Sequence, residues 1–278
     1  MTTLKHGDKG QAVHRLQKSL IAQGAKLIAD GDYGDQTEAA VLAYQHKIGL
    51  VPDGIAGEKT LYCLQSVTAP SIYLGARDLQ AAAERLGVPL ASILAVNEVE
   101  SAGAGFIDNV KPKILFERHV MLQRLAAPRH PDDDPAELQQ RAKTLALQWP
   151  ALVNATPGGY AGGTAEWQRL SQARTLDAAA ANESTSWGAF QIMGYHWERL
   201  GYASLDAFVA SMHTSEAAQL DAFVRFIEAD PALHKALKGR KWAEFAKRYN
   251  GPNYARNLYD VKLERAYQRH AQALEVAA

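Results

Sequence analysis

The sequence predicts a mainly α-helical chain of two domains, the second carrying one short β-hairpin. Apolar residues recur at helical spacing, as in Val13, Leu16, Leu20 and Ile21. A glycine-punctuated repeat fills the first 65 residues and then stops. At 278 residues the chain is long enough for two hydrophobic cores.

The first element is an amphipathic helix over 13–21. Next, Asp30-Gly-Asp-Tyr-Gly-Asp-Gln-Thr37 recurs as Asp53-Gly-Ile-Ala-Gly-Glu-Lys-Thr60, an offset of 53 − 30 = 23 residues. The glycines allow backbone conformations that a Cβ hinders. Helical sequence follows each copy, over 37–46 and 60–65. With Gly10, Leu16, Gln17, Gly24, Gln45 and Gly49-Leu50, this stretch resembles the small three-helix peptidoglycan-binding module of cell-wall hydrolases. The resemblance implies wall binding through polar and aromatic groups near the turns, and Asp32, Tyr33 and Gln45 are the candidates. Most of the glycines serve folding alone.

Residues 67–73 lack periodicity and contain Pro70, so a linker is expected between a domain at 1–66 and one at 74–278. A helix over 78–86 precedes a second one that opens at Pro89, since proline suits a first helical turn. Gly103 and Gly105 end it. Glu98 and Glu100 fall in the last turn of this otherwise apolar helix. Apolar surroundings and the negative end of the helix dipole both raise a carboxyl pKa, as a general acid near neutral pH requires. Residues two apart lie about 200° apart around a helix, so the two glutamates face opposite sides. Glu100 lines up with Ile93, Val96 and Asn97, and Glu98 with Ala91, Leu94 and Ala95. Periodicity does not choose between them, and a solvated helix end accounts for either.

Phe106-Ile107, the polar Asp108-Asn109 and Lys113 to His119 suggest the hairpin, with Glu117 near the end of its second strand. The acidic loop at 129–135 lacks the spacing and glycine of a calcium-binding loop. Residues 137–147 are helical. Pro157-Gly-Gly-Tyr-Ala-Gly-Gly163 lacks the Gly-Lys-Ser/Thr of a phosphate loop, and either a plain surface loop or a flexible wall with sugar-stacking Tyr160 and Trp167 fits it. Ser186 reads as a helix N-cap. Helices are expected over 205–212, 216–228, 231–237, 242–249 and 258–274.

Composition excludes several classes. Hydrophobic residues are 47% and charged residues 22%, and 30 basic groups balance 30 acidic ones. No basic stripe with interleaved aromatics points to nucleic acid. The lone Cys63 precludes an intramolecular disulfide and reads as a small hydrophobe between Leu61 and Leu64. His119, His130 and His196 have no His-x-x-x-His or cysteine partner, against a zinc amidase or peptidase, so no metal or cofactor is expected. No Gly-x-Ser-x-Gly elbow is present. No secretory pattern or run of 18 apolar residues is found, so a chain without stable membrane insertion that folds in a reducing cytoplasm is expected; a monomer is expected as well.

Three segments then act together. Glu100-Ser101-Ala102-Gly103 resembles the Glu-Ser-x-x-Gly segment at the catalytic helix end of goose-type lysozymes and soluble lytic transglycosylases. Ser186-Trp-Gly-Ala-Phe-Gln-Ile-Met-Gly194 resembles their Gly-x-x-Gln-x-Met segment, and Tyr249-Asn-Gly-Pro252 their Tyr-Asn-x-Gly-Pro segment. The arrangement is most similar to the N-acetylmuramidase domain of modular phage endolysins. It implies a lysozyme-like α-rich catalytic domain with Glu100 as the acid and Glu98 as the alternative. Glu117 would be the second carboxylate, its other reading being a structural ion pair. Ser186, Trp187, Gln191, Tyr249, Asn250 and Tyr160 would bind substrate. The implied reaction cuts the β-1,4 bond between N-acetylmuramic acid and N-acetylglucosamine in bacterial peptidoglycan. The implied location is the host bacterial cytoplasm until a pore-former opens the inner membrane. The alternatives are a lytic transglycosylase, which works with one glutamate, and a non-catalytic wall-binding phage protein.

Overall fold

The structure, a computed structural model, describes residues 3–65, 72–101, 104–251 and 254–277. Gly103, Pro252 and most of the expected linker lie outside the described residues. The chain divides into two compact units, Met1–Arg85 and Leu86–Ala278.

In the small unit, α1 (Gln11–Ala22), α2 (Asp35–Lys47) and α3 (Glu58–Gln65) enclose Val13, Leu16, Leu20, Val41, Tyr44, Leu50 and Cys63. The repeat has a physical basis. Gln17, on α1, donates to Asp30 Oδ1, Asp32 O and Thr37 Oγ1, and its oxygen accepts from Gly31 N. Gln45, on α2, donates to Asp53 Oδ1, Ile55 O and Thr60 Oγ1, and its oxygen accepts from Asp53 N and Gly54 N. Each Asp-Gly turn is therefore tied down by a glutamine from the preceding helix. Gly31 (φ 80°) and Gly54 (φ 70°) occupy the left-handed region that favours glycine.

This corrects two of the wall-binding candidates. Gln45 is buried, and Tyr33 is 0% exposed with its hydroxyl donating to Gly54 O at 2.8 Å. A buried turn needs its donors and acceptors paired from inside, and these polar groups supply that pairing. Asp32 stays at the surface, where Lys9 Nζ bonds its Oδ2 at 2.6 Å.

After α4 (Ala76–Leu86), the larger unit opens with α5 (Leu90–Glu100). The expected hairpin is shorter than the sequence suggests. β1 (Phe106–Ile107) pairs with β2 (Lys111–Pro112) around the three-residue loop 108–110, in which Asp108 and Asn109 are both at positive φ and Val110 N donates to Ile107 O at 3.1 Å. β3 (Ile114–Phe116) leaves to pair with β4 (Thr185–Trp187), which pairs with β5 (Ile192–Met193), all antiparallel. Ser186 therefore lies in a strand opposite Leu115 and Met193, and caps no helix.

Three helices appear where none was expected: α6 (Arg118–Leu125), α8 (Ala165–Leu176) and α9 (Ala178–Glu183). The others sit close to the expected spans, namely α7 (Pro135–Gln148), α10 (Leu205–Met212), α11 (Glu216–Glu228), α12 (Pro231–Lys238), α13 (Trp242–Asn250) and α14 (Tyr259–Ala277). Asp134, Ser204, Ser215 and Asp230 cap α7, α10, α11 and α12 through backbone N–H groups. Phe116, Met121, Leu170, Trp187, Phe208, Phe223 and Phe245 fill the core, and α14 packs along α5. Among the described residues no single helix is long and apolar enough to cross a membrane.

Candidate active site

Glu100 ends α5 and faces inward. Burial raises its pKa to about 7, against the opposing pull of a hydrogen bond from Asn250 and the charge of Lys262. Asn250 Nδ2 donates to Glu100 Oε1 at 2.9 Å from the last residue of α13. The neighbouring Tyr249 donates its hydroxyl to Phe190 O at 2.7 Å, and its ring lies among Phe223, Phe226 and Phe245. The Tyr-Asn pair thus joins Glu100 to the segment carrying Gln191.

Glu98 has a different role. It takes hydrogen bonds from His270, at 2.9 Å, and from Arg269, both on α14. These contacts, His270 first, hold its carboxyl below the usual range. The two glutamates thus sit in opposite surroundings: the Glu98 carboxyl is held low by its hydrogen bonds to α14, and the Glu100 carboxyl is raised by burial.

The Ser186–Gly194 segment is a strand, a turn and a strand. Ser186 Oγ donates to Gln191 Oε1 at 2.8 Å, and Gln191 Nε2 donates to Gly188 O at 2.8 Å. Gln191 has φ 50°, a strained position for a residue with a side chain. Its amide holds its own turn. Trp187 corrects the expectation of a sugar-facing ring: it is 0% exposed, donates Nε1 to Asn182 O at 3.1 Å and packs edge-on to Trp167. Trp167, half-buried, in turn donates to Pro112 O at 3.0 Å, and Lys111 Nζ and the Arg174 guanidinium lie 5.6 and 5.9 Å from its ring centre.

Glu117 follows β3, with its backbone N–H donating to Ser184 O at 2.9 Å. The Tyr160 hydroxyl lies 3.0 Å from each of its carboxylate oxygens, and His119 Nδ1 lies 3.2 Å from Oε2. Tyr160 is 48% exposed, on the glycine-rich loop. That loop is anchored by a group the sequence did not disclose. Glu166 is fully buried and accepts from the N–H groups of Phe116, Ala161 and Gly162 and from Arg169. Burial alone would raise its pKa, but these donors hold it below the ordinary value. Its ion pair with Arg169 is local, three residues along α8, but nothing in an amphipathic pattern marks the bond it accepts from Phe116 N, 50 residues away.

His6, Asp35 and Glu38, in the small unit, bring donor atoms within 4.8 Å of one another and are largely exposed. None of the catalytic candidates belongs to that group.

Residues 89–271 match the N-acetylmuramidase family, and residues 9–64 match a peptidoglycan-binding domain family. The chain is similar to the crystal structure of the Burkholderia AP3 phage endolysin, at 51% identity and a TM-score of 0.87, covering 99% of this chain and 100% of that one. Two shorter similarities lie in 69-residue stretches at 44% identity. One is to a probable N-acetylmuramoyl-L-alanine amidase of Bacillus licheniformis, covering 24% of this chain and 20% of the relative. The other is to a zinc D-Ala-D-Ala carboxypeptidase of Streptomyces albus G, covering 23% and 27%. The chain therefore spans about a quarter or less of the length of these curated relatives.

Proposed function

The chain belongs to the N-acetylmuramidase family, and on that premise we propose that it is an endolysin hydrolysing the β-1,4 bond between N-acetylmuramic acid and N-acetylglucosamine. The observation that carries this reading is Glu100, a half-buried carboxyl with its pKa raised to about 7 and one oxygen held by Asn250. Such a group keeps its proton near neutrality and gives it to the leaving glycosidic oxygen. Glu117 is the second carboxylate, orienting water or stabilising the oxocarbenium-like transition state. The small unit holds the enzyme on its insoluble substrate and raises its local concentration there. The enzyme acts as a monomer, waits in the host cytoplasm and reaches the wall when the inner membrane is opened.

One observation favours a second reading. Tyr160 already occupies the Glu117 carboxylate, and a transglycosylase needs only the single acid. Mass spectra of digested peptidoglycan separate the two. A hydrolase leaves reducing N-acetylmuramic acid ends. A transglycosylase closes the sugar's own 6-hydroxyl onto the anomeric carbon and leaves 1,6-anhydro ends lighter by one water. Early products that are mainly anhydro would replace the first reading with the second, and intact walls would remove both.

A further inference from the structure

We propose that Glu216 and Gln219, on the first turns of α11, are positioning residues that clasp the segment after Glu100 against the turn carrying Phe190 and Gln191. The inference rests on Glu100 being the acid.

Gly105 follows that acid by five residues, and side chains of α11 hold both of its backbone polar groups. Its N–H donates to Glu216 Oε1 at 2.8 Å, and its carbonyl accepts from Gln219 Nε2 at 3.2 Å. The oxygen of the same Gln219 amide accepts from Ala189 N at 2.8 Å, inside the β4–β5 turn. Lys113 ties the same two places by backbone bonds, its N–H to Gly105 O and its carbonyl from Gly188 N, each at 2.8 Å. The circuit then closes on the acid. Phe190, next to Ala189, accepts the Tyr249 hydroxyl, and Asn250, next to Tyr249, donates to Glu100. Gln219 thus holds Gly105, five residues beyond Glu100, and, through Phe190, the anchor of the acid's hydrogen-bond donor.

The packing is specific to this clasp. Glu216 and Gln219 are each 1% exposed. A Cβ on Gly105 would run into the Gln219 amide, and one on Gly188 would lie 2.5 Å from Gln219 Cδ. Burying a carboxylate and an amide is costly unless every polar atom is paired. Apolar side chains would fill this space at lower cost, but they could not hold a glycine carbonyl and two N–H groups in register. That register is what a small displacement of the acid would lose.

The test measures turnover on purified walls, wall pull-down, thermal melting and the pH profile for Gln219→Leu, Glu216→Leu and Glu216→Gln, beside wild type and Glu100→Gln. Gln219→Leu and Glu216→Leu should lower kcat by about 10–100-fold, the scale of a misplaced catalytic group, with pull-down changed less than about twofold. Water admitted around Glu100 should also move the alkaline limb of their kcat/KM profiles to lower pH, which a purely structural role would not do. Glu216→Gln still accepts from Gly105 N and should recover most of the turnover lost in Glu216→Leu. Folded leucine variants with wild-type turnover and an unmoved limb would overturn the clasp while Glu100 stands. Loss of fold in both leucine variants would also overturn it, making the pair a folding element. An active Glu100→Gln enzyme would overturn the acid and the clasp together.

Discussion

Asn250 Nδ2 lies 2.9 Å from Glu100 Oε1, bridging 150 residues of sequence. The bond orients the carboxyl and favours its ionised form, while burial favours the neutral form more strongly. The balance sets the pH range in which the acid holds its proton.

A general acid must be protonated to act, so kcat/KM should fall on the alkaline side with a limb near pH 7. Glu100→Gln keeps the shape without the acidic proton and should lose at least ~10²-fold in turnover, the usual scale for such a group, with an unchanged fold. Asn250→Ala removes a bond to the ionised form, so the limb should move to higher pH while the maximal rate falls. A limb that moves down in Asn250→Ala would contradict this balance.

The same shift has a stability consequence. Glu100 has a folded pKa near 7, above the ordinary carboxyl value of 4.5. Its neutral form is favoured by the fold, so its contribution is fully present below about pH 4.5 and is lost as pH rises through 7. Glu100→Gln does not titrate. Its melting temperature should therefore gain on wild type between pH 4.5 and about 7.5 and run parallel beyond. Parallel melting curves across the whole range would remove the buried-acid argument.

How far the sequence reached follows from which interactions are local. Helix spans such as 205–212 and 216–228 agree with α10 and α11 because apolar periodicity and serine caps are written within a few residues. The apolar helix end narrows the candidates to Glu98 and Glu100, but the preference for Glu100 and the partner Asn250 were reachable only through resemblance, since the bond spans the chain. Tyr33, Gln45 and Trp187 look like binding groups by residue type, yet the structure uses their polar atoms to satisfy buried backbone. Glu166, Glu216 and Gln219 carried no signal at all, because a buried polar side chain and a solvent-facing one look alike until their partners are known.

Glu98 is bonded to α14 through His270 and Arg269. Its carboxyl is held below the ordinary range by His270 and Arg269, so its contribution is present above about pH 4.5 and is lost as pH falls further. Glu98→Gln should keep turnover within about twofold and lower the melting temperature at pH 7 by about 1–3 °C, the scale of a solvent-exposed pair. An inactive but stable Glu98→Gln enzyme would exchange the roles of the two glutamates.

Glu117 and Tyr160 are best tested together. Glu117→Gln should lower kcat more than wall affinity if the carboxylate handles water or transition-state charge. Tyr160→Phe frees that carboxylate of one donor while leaving the ring, so it should change kcat while leaving pull-down unchanged. Unchanged turnover in Glu117→Gln, with a lower melting temperature, would make Glu117 a structural partner of Tyr160 and His119.

The small unit gives the last prediction, because its glutamines and its surface make opposite demands. Gln45 satisfies Asp53 N, Gly54 N, Ile55 O and Thr60 Oγ1 from a buried position. Gln45→Leu leaves several of these unpaired at about 1–3 kcal/mol each, enough to unfold a unit of this size. Wall pull-down should then drop to that of a chain lacking residues 1–66, while turnover on short soluble wall fragments persists. Asp32→Asn changes only a surface group beside Lys9, so any loss of pull-down there arises at the binding surface, with melting unaltered. Together the three variants separate a folded anchor from a folded but silent one. Equal wall binding by the truncated and full-length chains would leave the small unit no anchoring role.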